Sequence, residues 1–262
     1  MAAYQNVLWE VSPDGIGTLT INRPDRMNAL SPETIEELLD CLARARDDRT
    51  TRVVVLTGAG SRAFSAGADL GRMSADTSKF LEHLERDRFV RLNEVIAQLG
   101  KMVIAKVRGY ALAGGLGLMA ACDFVIAADS AVFATPEIDV GIFPMMITAV
   151  LARGLPRRRL LDLLFTGRRV GAAEAEAMGL ITRAVPEDRL DEEVAALART
   201  LASKSPAATR LGKDAFYTAQ DMSFGDALRY LQSQLSILLL SEDAQEGLAA
   251  FREKREPRWK GV

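Results

Sequence analysis

Between Met102 and Asp123 the sequence runs MVIAKV, RGYALAGG, LGLMAACD. The first piece is a short β-branched apolar run of the kind that forms a buried strand. Leu116, Leu118, Met119 and Ala120 begin an apolar helix. Gly109 to Gly115 must therefore turn a strand into a helix within a few residues. The first N–H groups of a helix have no partner inside it, and Ser, Thr, Asp or Asn usually supplies one. Ala113, Gly114 and Gly115 occupy this cap region without a side-chain acceptor. The donors are left to water or to the oxygen of a ligand, which glycine lets approach closely. Close packing of helix against strand is the alternative reason for glycine here. The turn is not a nucleotide loop, because neither GxGxxG at the required spacing nor GxxxxGK[ST] occurs.

The flanking sequence supplies further strand–loop–helix units. Residues 4–11 and 16–22 form a predicted hairpin around Pro13-Asp14-Gly15. After the loop 22–30, Ser31-Pro32-Glu33-Thr34 has the order of a helix start, with Ser as N-cap and Pro in the first turn. RVVVLT at 52–57 is a predicted buried strand, followed by the turn-rich loop 58–70. Residues 72–100 are polar and then helical. DFVIAA at 123–128 and the short run 131–135 are further strands, and the loop 136–144 leads into a helix. Beyond Arg157 the pattern is helical apart from a strand-like run at 180–185, and Leu228, Leu231, Leu235 and Leu238 have helical spacing. Strands alternating with helices point to an α/β fold with a largely parallel sheet. The length of 262 residues suits one large domain with a smaller helical unit. We divide it into an α/β core over 1–187 and a helical region over 188–262.

Composition narrows the partners. Lys and Arg number 33 against 35 Asp and Glu, and no basic block is interleaved with aromatics, so no nucleic-acid partner is expected. Arg157-Arg158-Arg159 suits a solvated helix start. Cys41 and Cys122 both lie in apolar helical patterns and are expected to be reduced core residues. No basic, apolar leader opens the chain and no apolar run reaches transmembrane length, so a cytoplasmic protein without a membrane partner is expected.

Three loops follow predicted strands, at 58–70, 109–115 and 136–144, and such loops gather at one end of an α/β sheet. Ala66-Gly67-Ala68-Asp69-Leu70 resembles the 113–115 turn in kind. Two such turns side by side would aim two backbone N–H groups at one oxygen, an oxyanion hole worth a few kcal/mol to an enolate. The third loop supplies Glu137, with Ala134, Ile138, Val140, Ile142 and Phe143 close in sequence. Apolar surroundings would raise its pKa and suit it to acid–base work. From these residues alone a solvated loop glutamate is the plainer reading.

The stretch VRGYALAGGLGLMAACDFVIAADSAVFATPEIDVGIFP resembles the signature of the enoyl-CoA hydratase/isomerase (crotonase) family. NRPDRMNAL and AFSAGADL are similar to that family's two N-terminal motifs, and LFTGRRVGAAEAEAMGLITRAVP and EDAQEGLAAFREKREPRW to its C-terminal part. The resemblance covers nearly the whole chain in order. It implies a spiral of ββα repeats, a C-terminal helical region for trimerisation, and homo-trimers often paired into hexamers. It implies an acyl-CoA thioester substrate whose carbonyl sits on the N–H groups of Ala68 and Gly114. Coenzyme A enters as part of that substrate, with no separate cofactor and no metal. The CoA moiety would run along Arg26, Met27, Ala66, Asp69 and Leu70, with Phe251 and Lys254 closing over it, often from a neighbouring subunit. Asp69 is expected to cap a helix while its main chain meets the ligand, and Arg26 to be either a phosphate contact or a plain surface charge.

One departure bears on the reaction. Hydratases of this family use two glutamates. Glu137 matches the second, but the first falls on Gly117, which has no side chain. Asp139 is the nearest replacement by sequence, at an offset of two residues. Met145-Met146 replaces small residues typical of hydratases after Pro144. His83, the sole histidine, lies in a charged helix and is expected in solvent. The resulting expectation is an acyl-CoA enzyme of hydratase/isomerase type with Glu137 as acid/base. The alternatives are a Δ3,Δ2-enoyl-CoA isomerase, because of Gly117, and a non-catalytic CoA-thioester-binding protein.

Overall fold

The computed structural model describes residues 4–69 and 79–262. The chain opens on β1 (Val7–Val11) and β2 (Ile16–Ile21), the expected hairpin, followed by α1 (Pro32–Asp47). Ser31 caps α1 through its side chain, which accepts from the Thr34 N–H at 3.2 Å. Three ββα units then repeat: β3 (Val53–Gly58), β4 (Ala63–Ser65) and α2 (Lys79–Ala97); β5 (Met102–Val107), β6 (Tyr110–Leu112) and α3 (Gly114–Ala120); β7 (Phe124–Ala128), β8 (Val132–Ala134) and α4 (Met145–Leu151). Next come α5 (Arg157–Thr166), β9 (Val170–Gly171), α6 (Ala172–Ala177), β10 (Arg183–Val185) and α7 (Leu190–Ala202). Three helices end the chain: α8 (Pro206–Ala219), α9 (Phe224–Leu238) and α10 (Glu242–Glu253).

Each repeat gives its first strand to a six-stranded sheet, in the order β1-β2-β3-β5-β7-β10, and its second to a four-stranded sheet, β4-β6-β8-β9. The first sheet is parallel from β2 onward, and the second is parallel across β4, β6 and β8. The result is a spiral of ββα units. This is the spiral that the resemblance implies, and its large sheet is the largely parallel one read from periodicity. The small second sheet was not read, because β4, β6, β8 and β9 have only two or three residues each, too few for a period of two to show. Only β8 among them was expected.

The central strands β3, β5 and β7 are largely apolar because both faces of the large sheet are covered there. One face, with Val54, Leu56, Val103, Ala105 and Val107, joins Leu38 and Leu42 of α1 and Leu92 and Ile96 of α2 in the main core. The other, with Val53, Val55, Ile104 and Ile126, is covered by Leu190, Val194 and Ala198 of α7. Each Val, Leu or Ile among them contributes roughly 1.5–3 kcal/mol on burial. Cys41 and Cys122 are free thiols inside this core. Asp123, at the start of β7, ties α8 to the sheet: it accepts from Lys213 Nζ at 2.6 Å, Tyr217 OH at 2.9 Å and the Val103 N–H at 2.7 Å.

α9 behaves differently. Its helical spacing is as read, but none of its residues is buried, and Phe224, Leu228, Leu231 and Leu235 all stand exposed along it. Among the described residues, no helix is long and apolar enough to cross a membrane.

Candidate active site

Because β4, β6 and β8 run parallel, their carboxyl ends emerge at one edge of the small sheet. Ligands of open α/β sheets bind at such ends. Three loops leave there: Ala66-Gly67-Ala68 after β4, Ala113-Gly114 after β6 and Thr135-Pro136-Glu137 after β8.

The first two turns lie back to back. Gly67 has φ +89°, and a Cβ at that position would stand 2.8 Å from both Ala113 Cβ and the Gly114 nitrogen. A Cβ on Gly114 would be 3.7 Å from Gly67 Cα and 3.8 Å from the Ala68 nitrogen, with Phe89 Cζ of α2 at 3.7 Å. Gly115 is pressed against Ser65 of β4 closely enough that no side chain fits between them. Ala113 holds φ 51°, ψ −130°, a conformation that costs a non-glycine residue on the order of 1–3 kcal/mol. Its N–H donates to the Ala134 carbonyl at 3.0 Å, which fixes the turn to the strand leading into Glu137. Among the described residues, neither the Ala68 nor the Gly114 N–H enters a hydrogen bond, and neither residue is buried.

Glu137 lies in a 3-10 turn, Pro136–Val140. Thr135, buried just before it, is anchored by its hydroxyl donating to the Leu163 carbonyl at 2.8 Å, and the Ile142 N–H donates to the Glu137 carbonyl at 3.0 Å. The Glu137 side chain is half-buried, and its Oε2 is out of solvent with no hydrogen-bond partner among the described residues. Burial pushes its carboxyl above the ordinary glutamate range. The solvated-loop reading is thereby set aside. Asp139 faces elsewhere: both its carboxylate oxygens are 3.3 Å from where a Cβ on Gly167 would sit, at the end of α5. With three residues per turn, positions two apart on a 3-10 turn occupy different faces.

The N-terminal loop closes on the first turn. The Met27 carbonyl accepts from the Ala66 N–H at 3.0 Å, and the Leu30 N–H donates to the Gly67 carbonyl at 2.7 Å. Met27 and Asn28 are both left-handed, with φ 51° and 55°. Asn28 is buried, and its side-chain amide donates to the carbonyls of Ala59 and Ala63.

A family model for enoyl-CoA hydratase/isomerase matches residues 12–262. The chain belongs to the enoyl-CoA hydratase/isomerase family. It is an enzyme of that family with the crotonase-type spiral. It is 37% identical over 257 residues to a probable enoyl-CoA hydratase of Mycobacterium tuberculosis, covering 98% of each chain. It is 38% identical over 248 residues to the carnitinyl-CoA dehydratase of Escherichia coli strain K12, covering 93% of this chain and 94% of that one. Among solved structures it is similar to an enoyl-CoA hydratase from Bacillus anthracis, with a TM-score of 0.94 and 36% identity, covering 98% of this chain and 100% of the other.

Within this enoyl-CoA hydratase/isomerase chain the structure brings Ala66, Ala68, Gly114, Met27 and Asp69 to one place, with Glu137 on the adjoining strand end. The Asp69 carboxylate is paired with Arg23 at 2.7 Å, and both side chains are largely buried. The helix start that Asp69 is expected to cap lies outside the described residues. Arg26 is an exposed residue of the turn Pro24–Arg26. Leu70 lies outside the described residues. Phe251 is 84% exposed on α10, and Lys254 caps that helix in a left-handed conformation. His83 is exposed, as expected. Sequence reasoning missed Phe89, Arg23 and Ile147. Phe89, Leu92 and Ile96 do share a helical spacing that marks a core face. Nothing local says that Phe89 ends beside Gly114.

Proposed function

We propose that this enzyme moves a proton between the α and γ carbons of an enoyl-CoA thioester, a Δ3,Δ2-enoyl-CoA isomerisation. The observation that carries this is a single half-buried carboxylate, Glu137, with one oxygen unpartnered among the described residues. The turns after the two neighbouring strands carry two N–H groups, of Ala68 and Gly114, that are unengaged among the described residues, and one helical turn past Gly114 stands a residue with no side chain, Gly117. The thioester carbonyl accepts from Ala68 and Gly114. The Glu137 carboxylate takes a proton from the α carbon of the 3-enoyl substrate, and the electron pair passes into the carbonyl to give a dienolate. Glu137 then returns the proton to the γ carbon, which leaves the double bond at the 2-position. No water is consumed. Addition of water needs one group to deprotonate it and another to protonate carbon, and Glu137 here has no carboxylate partner at position 117.

The thioester class is supported by the names of the relatives. The CoA moiety runs along Met27, Ala66, Asp69 and Leu70, with Arg26 at its exposed edge. Phe251 and Lys254 meet it from a neighbouring copy, for which the exposed Phe251 ring is suited. The chain forms a homo-trimer, or a hexamer of paired trimers, and the apolar stripe of α9 supports this because it stands exposed with no cover among the described residues of one chain.

Mass spectrometry of products from matched 2-enoyl- and 3-enoyl-CoA thioesters tests the reaction. Unchanged mass with a shifted double bond is the expected result. Gain of one water on the 2-enoyl substrate makes the protein a hydratase, and bound thioester without turnover makes it a non-catalytic binder. Sedimentation of the purified protein is expected to give a trimer or hexamer. Replacing Leu228 and Leu235 by Glu is expected to shift it to monomer, and a wild type that sediments as a monomer removes the assembly from the proposal.

A further inference from the structure

Gly117 is buried in α3, where nothing about turn geometry requires glycine. The requirement comes from α4. A Cβ on Gly117 would lie 2.7 Å from Ile147 Cβ and closer still to Ile147 Cγ2, while Ile147 Cα stands at 3.7 Å. Ile147 itself is 3% exposed. It is β-branched, so its χ1 is held by the helix and its two γ carbons cannot both swing clear. The contact therefore involves the stiff base of a side chain.

We propose that Ile147 is the specificity-determining residue of this site. It fills the volume into which a side chain at 117 would project. It thereby shuts out a second acid, and the water that two carboxylates would hold between them, from the neighbourhood of Glu137. This rests on the isomerase reading above and adds to it. A glycine at 117 only lacks a carboxylate, whereas the Gly117–Ile147 pair bars one. Restoring the acid by a single substitution then fails, and α4 must change with it. Alanine at 147 does not suffice, because its Cβ keeps the 2.7 Å contact. Glycine at 147 removes it and leaves Cα at an ordinary distance.

Thermal unfolding of four proteins tests the contact without reference to chemistry: wild type, Gly117→Ala, Ile147→Gly and the double variant. Overpacking predicts that Gly117→Ala lowers the wild-type Tm by roughly 2–10 °C. The same change made in the Ile147→Gly background is expected to leave Tm unchanged or raise it. Equal losses in both backgrounds overturn the contact argument. Activity tests the consequence, with Gly117→Glu, Ile147→Gly and Gly117→Glu/Ile147→Gly each incubated with a 2-enoyl-CoA. The double variant is expected to add water about a hundredfold faster than either single variant, the lower part of the range for a positioned acid–base group. A double variant no faster than Ile147→Gly alone overturns the specificity claim. A wild type that does not isomerise leaves the unfolding cycle interpretable, so failure of the isomerase reading is told apart from failure of this one.

Discussion

Glu137→Gln is expected to lower turnover of an enoyl-CoA thioester by about 10²–10⁴, the span over which a positioned general acid–base group contributes. The thioester should bind as before, because the amide keeps the shape of the carboxyl and the carbonyl contacts proposed at Ala68 and Gly114 are untouched. Loss of kcat with little change in binding is the signature to look for, and retained turnover would sink the assignment. The same carboxyl also makes a prediction about pH. Burial raises its pKa in the folded chain above the unfolded value, near 4.3 for an ordinary glutamate. The proton is then held more tightly by the folded state, so stability falls as pH rises from the unfolded pKa through the folded one. Glutamine removes that loss. The variant is expected to melt higher than wild type at neutral pH and to converge with it in acid. Activity is expected to run the other way, rising with pH along a limb displaced upward from about 4.3, since the carboxylate form is the proposed base.

Gly115→Ala is the second large effect. The added methyl would sit 2.8 Å from the Ser65 carbonyl carbon and 2.7 Å from its Cβ, and nearer still to its carbonyl oxygen. These are atoms of a buried strand, not the movable end of a side chain. Ser65 Oγ accepts from the Gly67 N–H at 3.2 Å, so a displaced β4 carries the Gly67–Ala68 turn with it. The expected outcome is a stability loss of roughly 1–3 kcal/mol from overpacking. Turnover should fall about 10²–10³-fold, as for removal of one oxyanion donor. Thermal unfolding and steady-state kinetics on the same preparation check both. Wild-type kcat in a destabilised Gly115→Ala protein would show that the two turns do not position the reacting carbonyl.

Much of the frame was legible because its signals are local. The hairpin at Pro13-Asp14-Gly15, the Ser31 cap and the long strands at 53–58, 102–107 and 124–128 follow from turn chemistry and from largely apolar, β-branched runs. The second sheet was not legible, because a strand such as Tyr110–Leu112 is stabilised by its neighbours and not by any pattern of its own. The same division runs through the site. Glu137, the glycine turns and the vacancy at 117 stand in the sequence. That Glu137 keeps one oxygen buried and unpartnered among the described residues, that Asp69 is paired with Arg23, and that Ile147 occupies the space over Gly117 do not.

The amino-acid sequence by itself determined the α/β class, the family and the candidate groups for the chemistry, since these rest on residue type and near-neighbour spacing. Only the tertiary structure decided which groups share one end of the small sheet, which carboxylate is desolvated, and which side chain fills the space over Gly117. Those outcomes depend on contacts between segments far apart in the chain, where the excluded volume of one residue sets what another can do.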